Sequence, residues 1–554
     1  MADDRPWLAV YPEGVPADIA EPRRALTANL EQAVARFPDR VALDFLGATT
    51  TYAQLGTQVA RAAEALRGIG VRAGDRVALI LPNCPQHVVA FYAVLRLGAI
   101  VVEHNPLYTA DELAHQLDDH GATVAICWDK VAAKVTGRTV VGVDLTAALP
   151  LAKRLALKLP LPPARRMRAE MRGPLPDGAL SWEAMIAGAS PIADAVPGPG
   201  VDDTALLQYT GGTSGTPKGA ILTHRNLAAN AEQSRVWVPG LRDGGETFYA
   251  VLPLFHAYGL TLCLTTAVQI AATIVLLPRF DVAMVLDAVK RHPPTFFPGV
   301  PPMYDRLAEA AREGKADLSS VRYSISGAMP LPAKTAETWE KLTGGLLIEG
   351  YGMTETSPIS VGNPMSTRRR TGSIGVPYPS TRVRIADRDD LSRDMPAGEP
   401  GELLVQGPQV FAGYWNMPEE TASVLLPGGW IRTGDIAVMD DDGFLAIVDR
   451  VKELIITGGF NVYPSEVEDV LRDHPDVEDA AVVGLPSDRT GEEVVAVVIA
   501  SEGASVDAEA VLRWARERLS GYKAPRRIEI ATELPRSQIG KVLRRQVREG
   551  LLAS

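Results

Sequence analysis

Short apolar runs alternate with helix-length segments through the first two-thirds of the chain. Residues 76–81 (RVALIL) form one such run, followed by a helical stretch over 85–97 and a second apolar run over 99–102. The pattern returns as strand 272–277, helix 282–291, strand 295–297, helix 303–312, strand 321–325, helix 333–342 and strand 346–348. A strand that is apolar on both faces needs cover on both, and a helix linking two such strands supplies it. The repetition predicts an α/β fold of parallel layers, with binding loops at the C-terminal ends of the strands. After residue 363 the texture changes. Alternating runs at 381–385, 401–406 and 444–447 are separated by Gly, Pro and Asp, which reads as a β-rich subdomain over about 364–449. Beyond residue 451 a helix (465–472), strands (480–483, 494–500) and a helix (508–519) make an α+β unit large enough to be a domain. The expected organisation is a large N-terminal domain, 1–449, and a small C-terminal domain, 450–554, meeting at 449–452.

Composition excludes several classes. A net charge of −11 argues against a general nucleic-acid binder, which wants a basic face. Cys84, Cys127 and Cys263 lie far apart, which fits neither a disulfide framework nor a zinc site and suggests a reducing compartment. The N-terminus is acidic and has no apolar signal-like core, so a cytoplasmic location is expected. Residues 247–278 contain no Lys, Arg, Asp or Glu. Pro253, His256, Tyr258, Gly259 and Gln269 interrupt the run, so it reads as a buried core helix plus strand rather than a membrane span. The most basic stretch is 151–172, LAKRLALKLPLPPARRMRAEMR. It reads as a solvated surface insertion or as a peripheral contact with a membrane surface; Pro160, Pro162 and Pro163 bar one long helix.

The chemistry concentrates at residues 209–220, YTGGTSGTPKGA. Backbone N–H groups of a glycine-rich turn form an anion cradle. Thr210, Thr213, Ser214 and Thr216 add hydroxyls, Gly211, Gly212 and Gly215 add freedom, and Lys218 adds a compact cation. A merely flexible loop is the alternative. The spacing is not that of a P-loop, because Lys218 is followed by Gly219.

This loop is similar to the signature loop of the acyl-adenylate-forming (AMP-binding) enzymes: acyl-CoA synthetases, luciferases and peptide-synthetase adenylation domains. Further motifs follow in that family's order: PLFHAYG at 253–259, SGAMPLP at 326–332, EGYGMTETSP at 349–358, GWIRTGDIAVMDDDGFLAIVDRVKELI at 429–455, GGFNVYPSEVE at 458–468 and LPRSQIGKVLRR at 534–545. The resemblance covers essentially the whole chain, and GFNVYPSEVE with PLFHAYG looks most like bacterial medium- and long-chain fatty-acid–CoA ligases.

The resemblance implies ATP, Mg²⁺ and coenzyme A, with a carboxylic acid as the other substrate. It implies that residues 210–218 clamp the β- and γ-phosphates, with Lys218 a supporting charge. Thr354 resembles the phosphate-contacting threonine and Glu355 the acid that holds Mg²⁺. Gly327, Ala328, Glu349, Gly350, Tyr351 and Gly352 resemble the adenine site, with Tyr351 as the aromatic shelf. Asp435 and Arg450 resemble the ribose pair, and His256 a position between acyl pocket and adenylate whose role is positional. Lys541 resembles the catalytic lysine of adenylation. Lys452 resembles the hinge of a mobile small domain, whose rotation brings Gly458, Gly459 and Phe460 to the pantetheine tunnel. Ser214 stands where many members have threonine. Leu260 lies where one long-chain subtype has an aromatic gate, so gated tunnel behaviour is in doubt. Residues 260–264 with Gly299, Val300 and Ala328 are expected to frame an apolar pocket. An aryl acid, transfer to a carrier protein, and a non-catalytic adenylate-binding homologue are the rival readings. A homodimer is left open.

Overall fold

The computed structural model describes residues 5–210, 217–314, 316–457, 460–487, 490–537 and 540–553. The chain divides into two compact units. Trp7–Arg382 and Gln406–Ile431 form the larger, and Val383–Val405 and Arg432–Ser554 belong to the smaller. The expected hinge at 449–452 lies inside the smaller unit.

The larger unit holds two sheets. In the first, Val41–Phe45, Thr273–Leu276, Thr247–Ala250, Phe296–Gly299, Tyr323–Ser326 and Leu346–Gly352 lie side by side and parallel. The second centres on the parallel strands Thr204–Thr210, Ile100–Glu103, Arg76–Ile80, Val124–Trp128 and Thr139–Val143. The connecting helices are those the alternation predicts: Pro85–Arg96, Val282–Arg291, Pro301–Arg312 and Ala333–Thr343. Pro301 starts its helix earlier than expected, because proline loses nothing at a first-turn position whose N–H has no helical partner.

Two departures matter for the site. The strand expected to stop at residue 348 continues to Gly352, where its end turns to antiparallel pairing with Ile359–Gly362. The polar, glycine-rich run EGYG hides that continuation from a hydrophobicity reading. The chain also leaves the β-rich region: Gly413–Tyr414 pairs with Lys218–Thr223 in the larger unit.

Residues 247–278 form strand Thr247–Ala250, a π-helical turn Leu260–Thr265, a helical turn Thr266–Gln269 and strand Thr273–Leu276, nearly all buried. Among the described residues no helix is long and apolar enough to cross a membrane. The three cysteines are free and buried.

The smaller unit carries a β-rich sheet of Arg382–Ala386, Gly401–Gln406, Trp430–Met439 and Leu445–Arg450. Its second sheet, Val477–Ser487 against Gly491–Ala500 and Arg527–Ala531, packs on helices Pro464–Arg472 and Ala508–Arg518. Val467, Leu471, Val482, Val498 and Val511 form the core between them.

Candidate active site

In the larger unit, Thr210 ends one strand and sits opposite Lys218, which opens the antiparallel partner. Gly211, Gly212, Thr213, Ser214, Gly215 and Thr216 lie outside the described residues. The Lys218 ammonium pairs with Glu420 and stands 5.3 Å from the centroid of the Tyr414 ring. The Tyr414 hydroxyl in turn donates to Glu355 Oε1 at 2.6 Å. Burial and the Glu355 carboxylate hold the phenol well above its ordinary pKa, so it remains a donor. Glu355 is buried, at 7% exposed. Phe411 N–H binds the Glu355 backbone carbonyl at 2.9 Å. Lys218, Tyr414 and Glu355 thus form one continuous link between the phosphate-loop strand and the turn Thr354–Thr356.

The long strand end sets Glu349 opposite Ser326, with Gly350, Tyr351 and Gly352 following it in the same strand. Burial pushes the Glu349 carboxyl up to about 7, and its Oε2 accepts from Leu331 N–H at 3.1 Å. Gly352 must be glycine, since an added Cβ would lie 2.0 Å from the Pro358 carbonyl oxygen. At Gly327 a Cβ would stand 3.0 Å from the Tyr258 ring, whose hydroxyl donates to the Ile325 carbonyl at 2.7 Å. Ala328 takes the left-handed conformation (φ 67°), a local strain that the surrounding turn must hold. His256 Nδ1 accepts the Tyr258 N–H at 3.3 Å, and burial lowers the ring's pKa. A neutral ring accepting at Nδ1 carries its proton on Nε2, which suits a positioning role. The expected pocket frame is buried at Leu260, Leu262, Leu264 and Val300, while Ala328 is exposed.

Several supports are invisible to motif reading. Helix His224–Trp237 sends polar side chains inward. Asn230 brackets Ile359 through both its carbonyl and N–H, at 2.7 and 3.0 Å, and Asn226 binds the carbonyls of Pro408 and Val410, each at 2.9 Å. Asn83 similarly holds Ala250, Leu252 and Leu254, and Gln208 holds the Phe255 carbonyl at 2.8 Å, fixing the approach to His256. Buried asparagines placed where three backbone groups converge satisfy otherwise orphaned loop carbonyls. Their one-dimensional signal is an excess of Asn and Gln on a helix, which equally describes a solvated face.

The smaller unit joins three motifs that are far apart in sequence. Asp435 and Arg450 face each other on antiparallel strands, with Arg450 Nε 3.0 Å from Asp435 Oδ1. The Asp435 side chain is 4% exposed, so this is not an ordinary surface ion pair. Lys541 lies within electrostatic reach of both, on a turn closed by Ser537, whose Oγ accepts the Lys541 N–H at 3.2 Å. Burial, then Arg450, lowers the Lys541 pKa, while Glu453 and Asp435 oppose the shift. Arg544, which motif reading passed over, binds Glu468 through two bonds of 2.7 Å, Ser465 at 2.7 Å, and also Glu453 and Asp449. Lys452, between these groups, is exposed. Gly458 and Gly459 lie outside the described residues, and Phe460 begins strand Phe460–Val462.

A Mg²⁺ ion that travels with a nucleotide takes most of its oxygens from phosphate and water and only one or two from protein carboxylates. Glu355 fits that demand, being a buried carboxylate already oriented by a neutral donor. Among the described residues there is no cluster of three or more His, Cys, Asp or Glu side chains that would hold a metal by itself.

Comparison with known proteins gives the family. Residues 30–415 match the AMP-binding enzyme family, and residues 466–541 match the AMP-binding enzyme C-terminal domain. The chain belongs to the AMP-binding enzymes. It is 39% identical over 559 residues to a long-chain-fatty-acid–CoA ligase of Bacillus subtilis (strain 168), covering 99% of this chain and 98% of that one. It is also 39% identical over 514 residues to a feruloyl-CoA synthase of an Amycolatopsis species, covering 92% of this chain and 96% of that one. The crystal structure of ATP-bound MatB from Rhodopseudomonas palustris superposes with a TM-score of 0.79 at 32% identity, over 95% of this chain and 98% of that one.

Proposed function

We propose that the chain is an ATP-dependent, AMP-forming acyl-CoA synthetase that acts on medium- or long-chain fatty acids. In the first half-reaction a carboxylate oxygen attacks the α-phosphorus of ATP. The bond from that phosphorus to the pyrophosphate oxygen breaks, giving acyl-AMP and pyrophosphate. In the second, the CoA thiolate attacks the acyl carbonyl carbon and AMP departs with the electron pair, giving acyl-CoA.

One observation carries the reading: Lys541 shares a charge cluster with Asp435 and Arg450, from which it is separated by about a fifth of the chain. Attack of one anion on another needs a cation where the charges meet. Asp435 and Glu453 favour the charged ammonium, the form this step uses. The remaining roles are those the resemblance to the AMP-binding enzymes implies. Residues 210–218 and Thr354 hold the β- and γ-phosphates. Glu355, oriented by Tyr414, would hold a Mg²⁺ ion, whose charge would offset that of the pyrophosphate. Glu349 to Gly352, with Gly327 and Ala328, receive the adenine, Asp435 and Arg450 the ribose, and neutral His256 orients the acyl carboxylate.

For the second half-reaction, rotation about Lys452 withdraws Lys541 and brings Gly458, Gly459 and Phe460 to the pantetheine. Such a rotation must release Arg544 from Asp449, since the two flank the hinge in sequence.

The test is ATP–pyrophosphate exchange over a panel of acids, with and without CoA. Acid-dependent exchange followed by thioester formation is expected. Exchange without thioester redirects the reading to a carrier-protein acceptor, and no exchange with any acid ends it. The feruloyl-CoA synthase relative keeps an aryl acid as the second reading; a higher kcat/KM for cinnamates than for dodecanoate would install it. A homodimer is tested by light scattering, where a monomer mass removes it.

A further inference from the structure

We propose that residues 151–172 form a docking surface for an anionic lipid membrane. The segment folds as two short helices, Leu151–Leu157 and Pro162–Met171, packed on each other. It is built, not loose. Leu157 is buried, and Arg168 donates to the Leu157 carbonyl at 3.0 Å, closing the hairpin. At the far end Trp128 Nε1 donates to the Met171 carbonyl at 2.8 Å, and Gly173 N–H binds Asp129 at 3.0 Å.

On this anchored hairpin the usual sorting of side chains fails. Leu151, Leu155, Leu159, Leu161 and Met167 are 67, 54, 49, 55 and 53% exposed. They are half of the large apolar side chains found exposed among the described residues, gathered in one short segment. Isolated exposed leucines need no explanation, but a cluster does. Leu151 and Leu155 are spaced one helical turn apart and lie on one face.

The charge is equally out of place. The segment has seven Lys or Arg and one acidic residue, in a chain whose net charge is −11. Lys158, Arg165 and Arg166 are exposed. Apolar and basic side chains interleaved on short surface helices suit a lipid interface: leucines enter the acyl boundary while Lys and Arg meet the headgroups. A protein partner would need acidic surface but would not by itself favour leucines standing in water. Nucleic acid would use the cations and leave the leucines unexplained.

The test uses the full-length protein and co-sedimentation with vesicles of phosphatidylcholine, alone or mixed with phosphatidylglycerol. The wild type is expected to bind the mixed vesicles at least about ten-fold more tightly than the neutral ones, since each basic residue near an anionic surface adds to the attraction. The paired change Arg165→Glu and Arg166→Glu removes that preference. The paired change Leu151→Ser and Leu155→Ser weakens binding at both compositions and leaves the preference. All four side chains are exposed and lie outside the catalytic motifs, so turnover of a short, water-soluble acid is expected to stay within about two-fold and to report intact folding. No wild-type binding to either vesicle overturns the proposal. So does unchanged binding of both paired variants, which moves the contact elsewhere. A shift from dimer to monomer in the leucine variant, with vesicle binding unaltered, overturns it in favour of a second copy of this chain.

Discussion

Replacing Tyr414 by phenylalanine tests the link between strand Lys218–Thr223 and Glu355, the acid proposed to hold Mg²⁺. The ring stays beneath Lys218, so the 5.3 Å cation–π contact survives. Only the hydroxyl is lost, and with it the 2.6 Å bond to a carboxylate that is 7% exposed. A hydrogen bond to a charged group contributes about 1.5–3 kcal/mol. If that energy serves to orient Glu355 for the nucleotide-borne Mg²⁺, kcat/KM for adenylation falls by about ten- to a hundred-fold, since about 1.4 kcal/mol is a factor of ten. The loss belongs to metal and nucleotide use, so half-saturating Mg²⁺ rises in ATP–pyrophosphate exchange. Conversion of supplied acyl-AMP to acyl-CoA is unaffected. Exchange within two-fold of wild type at every Mg²⁺ concentration would refute the reasoning and reduce Tyr414 to a packing residue. A general loss in both half-reactions would point to misfolding instead, and the thermal midpoint separates that case.

Lys541→Ala is expected to cut adenylation by at least about a hundred-fold, the scale for a removed charge-stabilising group, yet to spare acyl-AMP thioesterification; equal loss of both refutes the two-conformation mechanism. Arg544→Met leaves Asp449 without its paired cation and Glu468 with Arg472 alone, and is expected to cost about 3 kcal/mol, read as a lowered thermal midpoint, whereas an unchanged midpoint shows that the cluster is not stabilising. His104 and His120, whose Nε2 atoms lie 3.1 Å apart, are pushed down to about 4 and about 2 by burial. Their folded pKa values lie below the unfolded value, so stability is full above about pH 6.5 and falls as the pH drops towards 4, by about 3 kcal/mol at most for His104. Thermal midpoints from pH 7.5 to 4.5 are expected to fall less steeply in His104→Gln, and an identical slope refutes the assignment.

The alternation of apolar runs with helices was sufficient to give the layers, because a two-face-buried strand and its crossover helix each leave a periodic mark. Helix Val282–Arg291 lies where the periodicity puts it. The strand through Glu349 to Gly352 was not legible beyond Ile348, since its end pairs through backbone groups and carries no apolar pattern. Arg544 and Arg545 stand side by side and look alike in sequence. One is clamped by Glu468, Ser465 and Asp449, and the other is exposed and pairs with Glu549 one turn away. Tyr414, in FAGYW, reads as an ordinary core aromatic, and only its strand's return to Lys218–Thr223 aims its hydroxyl at Glu355.

By itself, then, the sequence determined the fold class and the family motifs, because these depend on local periodicity and on residue type at short spacing. The Gly/Thr loop and its lysine stood out as a candidate anion site on those grounds. Tertiary structure decided the partners. It tied Lys218 to Glu420 and Tyr414, made Glu355 a buried acceptor, and set Lys541 among Asp435, Arg450 and Glu453. Burial and distance set how strongly one charge acts on another, and neither quantity exists along a chain until it is folded.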